Sequence, residues 1–144
     1  MHLIRKTVKL AAIIVAAACH DAAGPPPIPT NYVASAISGR PLPTFFSPIT
    51  QSPTITYAAL VLDGAGHAVL TEHQQETAGT EVITQTRYSY LIIDTTVHFQ
   101  VDCPPGAACI RPPIGTFAGA HLLLDMTGGD NQIVFDFQQV ALDI

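Results

Sequence analysis

Apolar and polar side chains alternate with a period of two along most of this chain, and the alternating runs are separated by turn residues. Residues 95–102 show it most clearly, with Val97, Phe99 and Val101 on one face and Thr96, His98 and Gln100 on the other. Residues 81–92 repeat it, placing Val82, Thr84, Thr86, Tyr88 and Tyr90 opposite Gln85, Arg87 and Ser89. Further strands are predicted over 31–38, 54–62, 67–77, 115–119 and 121–127, and a last one in which Ile133, Phe135 and Phe137 alternate with Val134, Asp136 and Gln138. Asp63-Gly64-Ala65-Gly66, Ala78-Gly79-Thr80 and Gly128-Gly129-Asp130-Asn131 read as turns, because glycine supplies the positive φ that tight hairpins need. No helical period follows the N-terminal segment. Eight sequential strands joined mostly by short turns predict an all-β, antiparallel up-and-down meander that closes into a barrel and so removes its exposed edges. A two-sheet β-sandwich is the alternative.

The N-terminal segment has a different pattern. Arg5, Lys6 and Lys9 precede an uncharged apolar run over 10–18 that stops at Cys19. A basic head, a short apolar stretch and small residues before a cleavage point mark a secretory signal over residues 1–18. The run is about half of the roughly 20 residues that span a bilayer. Residues 19–30 then form a proline-rich tether, which includes Gly24-Pro-Pro-Pro-Ile-Pro29. The β-domain occupies 31–144. A second proline-rich stretch over 40–53 is expected to be a long loop, with Phe45 and Phe46 packing over one end of the core.

Ala16-Ala17-Ala18-Cys19 resembles the lipobox of bacterial lipoproteins, with Ala16 where leucine is usual. The resemblance implies cleavage before Cys19, a thioether-linked diacylglycerol on its sulfur and an acyl chain such as palmitate on its amino group. His20 rather than aspartate follows the cysteine, which in that family implies sorting to the outer membrane of the bacterial cell envelope. Charge agrees with a lipid anchor. Beyond the signal the chain has Arg40, Arg87 and Arg111 and no lysine, against eleven acidic residues. Nucleic acid and anionic head groups both need clustered positive charge, so neither is an expected partner. Each buried acyl methylene contributes about 0.8 kcal/mol, and two or three chains anchor without a basic patch. In an oxidising compartment Cys103 and Cys109 are expected to form a disulfide, worth roughly 2–2.5 kcal/mol for so short a loop.

An anchored eight-stranded meander is similar to the lipocalin-like (calycin) small barrels of bacterial envelope lipoproteins. The residues that carry the likeness are Tyr32-Val-Ala-Ser-Ala-Ile-Ser-Gly39 with Arg40-Pro-Leu-Pro43, Leu60-Val-Leu-Asp-Gly64, Gly115-Thr-Phe-Ala-Gly119 and Ile133-Val-Phe-Asp-Phe137. Two departures stand out. The chain has no tryptophan, so the Gly-x-Trp motif of lipocalins proper is missing, and no helical pattern follows the last strand. The resemblance therefore implies the fold and does not carry over a ligand pocket.

Candidate chemistry is sparse. His67 and His73 share a strand face but stand about 20 Å apart at 3.3 Å per residue, too far for one metal ion. His98 and His121 could meet only across strands. Glu72 and Glu76, about 13 Å apart, exceed glycosidase spacing and are read as a strand end rising into solvent. No serine sits in a Gly-x-Ser-x-Gly elbow and no phosphate loop precedes a helix, so no catalytic residue, metal or cofactor is expected. Tyr57, Tyr88, Tyr90 and Phe99 are candidate ligand-binding residues, because inward Thr84, Thr86, Tyr88 and Tyr90 would make the barrel interior partly polar. The expected function is non-enzymatic: a lipid-anchored envelope module that binds a small apolar ligand. The alternative is an interaction or structural lipoprotein, such as an inhibitor-type barrel, with a packed core and an envelope protein as partner.

Overall fold

The computed structural model describes residues 30–46, 53–101, 111–126 and 132–141. Cys19, Cys103 and Cys109, and with them the anchor and the disulfide, lie outside the described residues. The strands are β1 (Thr30–Ile37), β2 (Arg40–Pro41), β3 (Thr44–Phe45), β4 (Thr54–Leu62), β5 (His67–Gln75), β6 (Glu81–Ile93), β7 (Thr96–Val101), β8 (Ile114–Ala118), β9 (His121–Asp125) and β10 (Val134–Val140). All the expected strands are present, and the described residues contain no helix.

From β4 to β10 each strand pairs antiparallel with the next in sequence. β1 closes the sheet by pairing on both sides, with β10 from Asn31↔Val140 to Ile37↔Phe135 and with β4 from Thr30↔Leu62 to Val33↔Ala59. β1 and β4–β10 thus form the closed eight-stranded up-and-down barrel. A sandwich would have left those edges open. Beyond Val33↔Ala59 the paired strands part, and the proline-rich stretch fills the seam. There β2 pairs with the end of β1 (Ile37↔Arg40) and β3 with the start of β4 (Thr44↔Ile55). The stretch expected to be plain loop therefore adds two two-residue strands. Arg40 donates to the carbonyl of Phe45 at 3.1 Å across it. Phe46 packs against the core, its ring 6.1 Å from Phe135, whereas Phe45 is exposed.

The two ends of the barrel differ. One end, called here the turn end, carries the tight β4–β5, β6–β7 and β8–β9 turns and the first residue of β1. In the β4–β5 turn Asp63 Oδ1 accepts the backbone N–H of Ala65 at 2.7 Å and of His67 at 2.9 Å. The His67 bond is the main reason the Asp63 carboxyl sits below its usual range. Gly64 (φ 74°) and Gly66 (φ 95°) take the left-handed backbone that this turn requires. Aromatic rings close the interior here: Tyr32 lies 6.3 Å from Phe117, and the Tyr90 phenol accepts hydrogen bonds from the backbone of Gly64 and Gly66.

Inward residues of all eight strands pack into one core. Ile37, Ile55, Leu60, Leu122, Leu124, Phe135 and Phe137 are fully buried, and the last two stack at 5.7 Å. Bulges between Ala34 and Ala36 in β1 and between Ile55 and Tyr57 in β4 reset which residues point inward. Packing is close at Gly115, where an added Cβ would lie 3.0 Å from Leu122 Cδ1 and 3.3 Å from both Phe99 Cε2 and Val97 Cβ. Alanine in place of glycine in a strand ordinarily gains about 0.5–1 kcal/mol, whereas overpacking costs about 1–3 kcal/mol. All three neighbours are buried and cannot swing away, so overpacking should win. Gly115→Ala is expected to lower stability by roughly 1 kcal/mol in urea unfolding; an increase would show slack in this part of the core.

Candidate functional site

The interior toward the other end of the barrel is polar on one side. Along β5 the inward positions are Ala68, Leu70, Glu72 and Gln74, as the burial of the first three requires. Along β6 they are Val82, Thr84, Thr86, Tyr88 and Tyr90. Register sets Glu72 beside Thr84 on one side and beside Ala58 of β4 on the other. Tyr88 pairs with Val101 of β7, and Tyr90 with Phe99. Closure of the sheet thus gathers Glu72, Gln74, Thr84, Thr86 and Tyr88 on the inner wall of β5 and β6.

Glu72 is 8 % exposed, the one buried charged residue among the described residues. The Thr84 side chain hydrogen-bonds its carboxyl, yet Oε1 is buried with no hydrogen-bond partner. Burial therefore pushes the Glu72 carboxyl above its ordinary range, and the Thr84 bond opposes this only in part. Tyr88, opposite Ala68 in register and edge-on to Phe99 at 5.5 Å, lies within electrostatic reach of that carboxyl. Burial raises the Tyr88 phenol, its bond to Thr86 lowers it and the Glu72 charge raises it further. Gln74 Nε2 donates to Thr84 Oγ1 at 3.5 Å. Gln74, Val82, Thr84, Thr86 and Val101 face inward and yet are only half-buried, so solvent reaches the interior on this side.

Three of the four residues expected to bind a ligand are inside. Tyr88 feels the Glu72 charge and meets Phe99 edge-on, and Tyr90 is at the turn end, where its phenol serves the β4–β5 turn. Tyr57 is not with them. The Ile55/Tyr57 bulge turns it outward, 40 % exposed, with its ring 5.1 Å from that of His73. Glu72 is the functional candidate that the sequence reading misplaced, since it points inward and not into solvent. The signal was present in the parity of β5, which puts Glu72 in step with Ala68 and Leu70.

The four described histidines belong to the outer surface. His67 and His73 do share the outer face of β5, and each Nδ1 meets a carboxylate, of Asp63 at 2.9 Å and of Glu81 at 3.1 Å. His121 Nδ1 meets Asp136 at 2.7 Å. His98, opposite Leu91 and Ile114, is not beside His121, which lies opposite Ala118 and Gln138. Among the described residues no three His, Cys, Asp or Glu side chains are grouped to hold a metal ion.

Fold and interior define a closed, antiparallel up-and-down barrel with a polar inner sector, an architecture consistent with a lipocalin-like domain. No protein-family model, curated protein or solved structure matches the chain.

The Glu72 environment sets a pH dependence. A carboxyl raised in the folded state costs stability above its folded pKa, and the cost fades as pH falls toward the unfolded value near 4.5. Glu72→Gln should therefore be more stable than the parent at pH 7.5, by on the order of 1 kcal/mol, the scale of an unpaired buried polar atom. Thermal melts of the two proteins should converge below the unfolded value. A gap that does not change with pH would place the carboxylate in water.

Proposed function

We propose that this protein is a non-enzymatic, lipid-anchored module of the bacterial cell envelope whose barrel binds a small, largely apolar ligand at the β5–β6–β7 wall. The observation that carries this reading is the buried, unpartnered Oε1 of Glu72 within an interior that is half-open to solvent. Proteins normally fill their interiors and pair their buried polar atoms, and a binding site is where both rules relax together. Val82, Val101, Tyr88 and Phe99 would supply apolar contact, and Thr84, Thr86 and Gln74 the directional bonds.

The anchor half of the proposal rests on the lipobox-like Ala16-Ala17-Ala18-Cys19, with outer-membrane sorting suggested by His20. The chain enters the barrel at the turn end, through Thr30. An anchor at Cys19 would then hold that closed end toward the bilayer and direct the Glu72 end away from it. The bond between Cys103 and Cys109 would tie the connection that follows β7, at the Glu72 end.

A second reading, docking to an envelope protein, draws support from the outer face. Leu91 and Ile114 flank His98 in one row across β6–β8, and Ile93 extends the apolar surface toward the turn end. Leu91 is 62 % exposed.

Native mass spectrometry of the protein purified from envelopes separates the two readings. A reproducible small-molecule mass that is lost on denaturation is the outcome expected for the binding module. A bare protein that pulls down an envelope partner, and loses it on Leu91→Asp substitution, would favour docking. Cys19→Ser should move the protein from the membrane to the soluble fraction; continued sedimentation of the variant would show another attachment.

A further inference from the structure

Between residues 30 and 144 the chain has three arginines, four histidines and no lysine, and all of these cationic side chains are among the described residues. None serves Glu72. Arg40 is bound to the Phe45 carbonyl, Arg87 and Arg111 are exposed, and Arg87 is on the outer face of β6. His67, His73 and His121 are paired with Asp63, Glu81 and Asp136, and His98 is exposed on β7. A buried carboxylate is costly without a counter-charge, and the described residues supply none. A ligand from outside the chain would supply the missing partner.

Its chemistry can be narrowed. An ionised carboxylate only accepts hydrogen bonds, so the partner must donate. A metal ion would need further acidic or histidine ligands, and no such group is assembled among the described residues. Tyr88, whose phenol feels the Glu72 charge, meets Phe99 edge-on and pairs in register with Val101, so the wall leading from Glu72 offers surfaces suited to an apolar or aromatic body and, through the Tyr88 face, to a cation. Toward the turn end from Glu72 the core is full, with Leu70 and Leu60 buried, which limits the ligand to a compact one. The chain's excess of acidic residues would draw cations toward the barrel.

From this we infer that Glu72 is the recognition point for a small amphipathic organic ammonium compound, its charged head on Oε1 and its apolar body against Tyr88, Phe99 and Val101. The inference rests on the binding-module reading and names the ligand class for it. Aliphatic and aromatic primary amines share this chemistry.

The test uses three compact probes with one body and different heads: benzylamine, benzyl alcohol and benzoate. Affinities for the purified full chain are measured by calorimetry and by tyrosine fluorescence, which no tryptophan obscures. At pH 7.5 benzylammonium is expected to bind at least tenfold more tightly than the alcohol, with benzoate weakest. Glu72→Gln should abolish that preference, with circular dichroism confirming the fold. Lowering the pH should weaken benzylammonium binding to the parent and leave the variant unchanged. Among the described residues Tyr88 of β6 is the titratable group that interacts with Glu72, and the inward residues of β4 and β7 are all apolar, so that loss would report the carboxyl. Equal affinity for alcohol and ammonium, or a preference that survives Glu72→Gln, overturns the assignment and leaves the binding module standing. No binding by any probe, together with a bare native mass, overturns both.

Discussion

The structure depends on β1 being hydrogen-bonded along both of its edges. Its early residues pair with β4 and its whole length with β10, which converts a linear meander into a ring. Once the ring is closed every strand has a defined inside, and side-chain parity alone assigns each residue to core or surface. The bulges at Ala34/Ala36 and Ile55/Tyr57 make the closure workable, because they bend the two strands that meet at the seam. The same bulges decide chemistry. With an extra residue in β4, Tyr57 goes to the outer face beside His73 and Ala58 goes inside beside Glu72. A small alanine there leaves the carboxyl room that a tyrosine would have filled.

Closure also sorts the interior into two unlike halves. At the turn end aromatic rings and a turn-bound Tyr90 fill the space, and packing against Gly115 is so close that a methyl group is excess. On the β5–β6 wall threonines, a glutamine, a tyrosine and a glutamate occupy positions that leucine or valine could have filled. Nothing about strand formation requires polar residues there, since threonine and valine suit a strand equally well. The polar wall weakens the core locally while the rest of the barrel holds it in shape.

Much of this was legible in the sequence. Eight strands, the β4–β5 and β5–β6 turns and the inward faces of β6 and β7 followed from a period of two and from glycine placement, whereas closure was the favoured reading beside a sandwich, because alternation is the same in a closed sheet and in two open ones. The seam strands β2 and β3 were not legible, since two residues next to prolines carry no periodic signal and their pairing depends on where β1 and β4 diverge. Tyr57 was misplaced as a ligand contact because a bulge shifts parity by one without a compositional mark. Glu72 was readable by parity but was judged by its polar neighbours His73, Gln74 and Gln75, which suit an exposed strand end. Local polarity and strand parity disagreed there, and parity won because the sheet is closed.

The disagreement is itself informative about Glu72. A sequence that specifies one fold usually has its local choices agree with the global one, and departures concentrate where function demands them. Here a single buried carboxylate breaks the pattern in a domain whose cationic side chains are all placed elsewhere, three of them already bound to other acids. A structural role for Glu72 would call for a partner on a neighbouring strand, and register offers only Thr84 and Ala58. Thr84 satisfies one side of the carboxyl and leaves Oε1 bare toward an interior that solvent partly reaches. Leucine or methionine at the same position would bury more apolar area with no unpaired atom, so stability alone gives no reason for glutamate. What glutamate adds is a directed acceptor with negative charge on the polar wall of the barrel interior, the property that the proposed ligand would use.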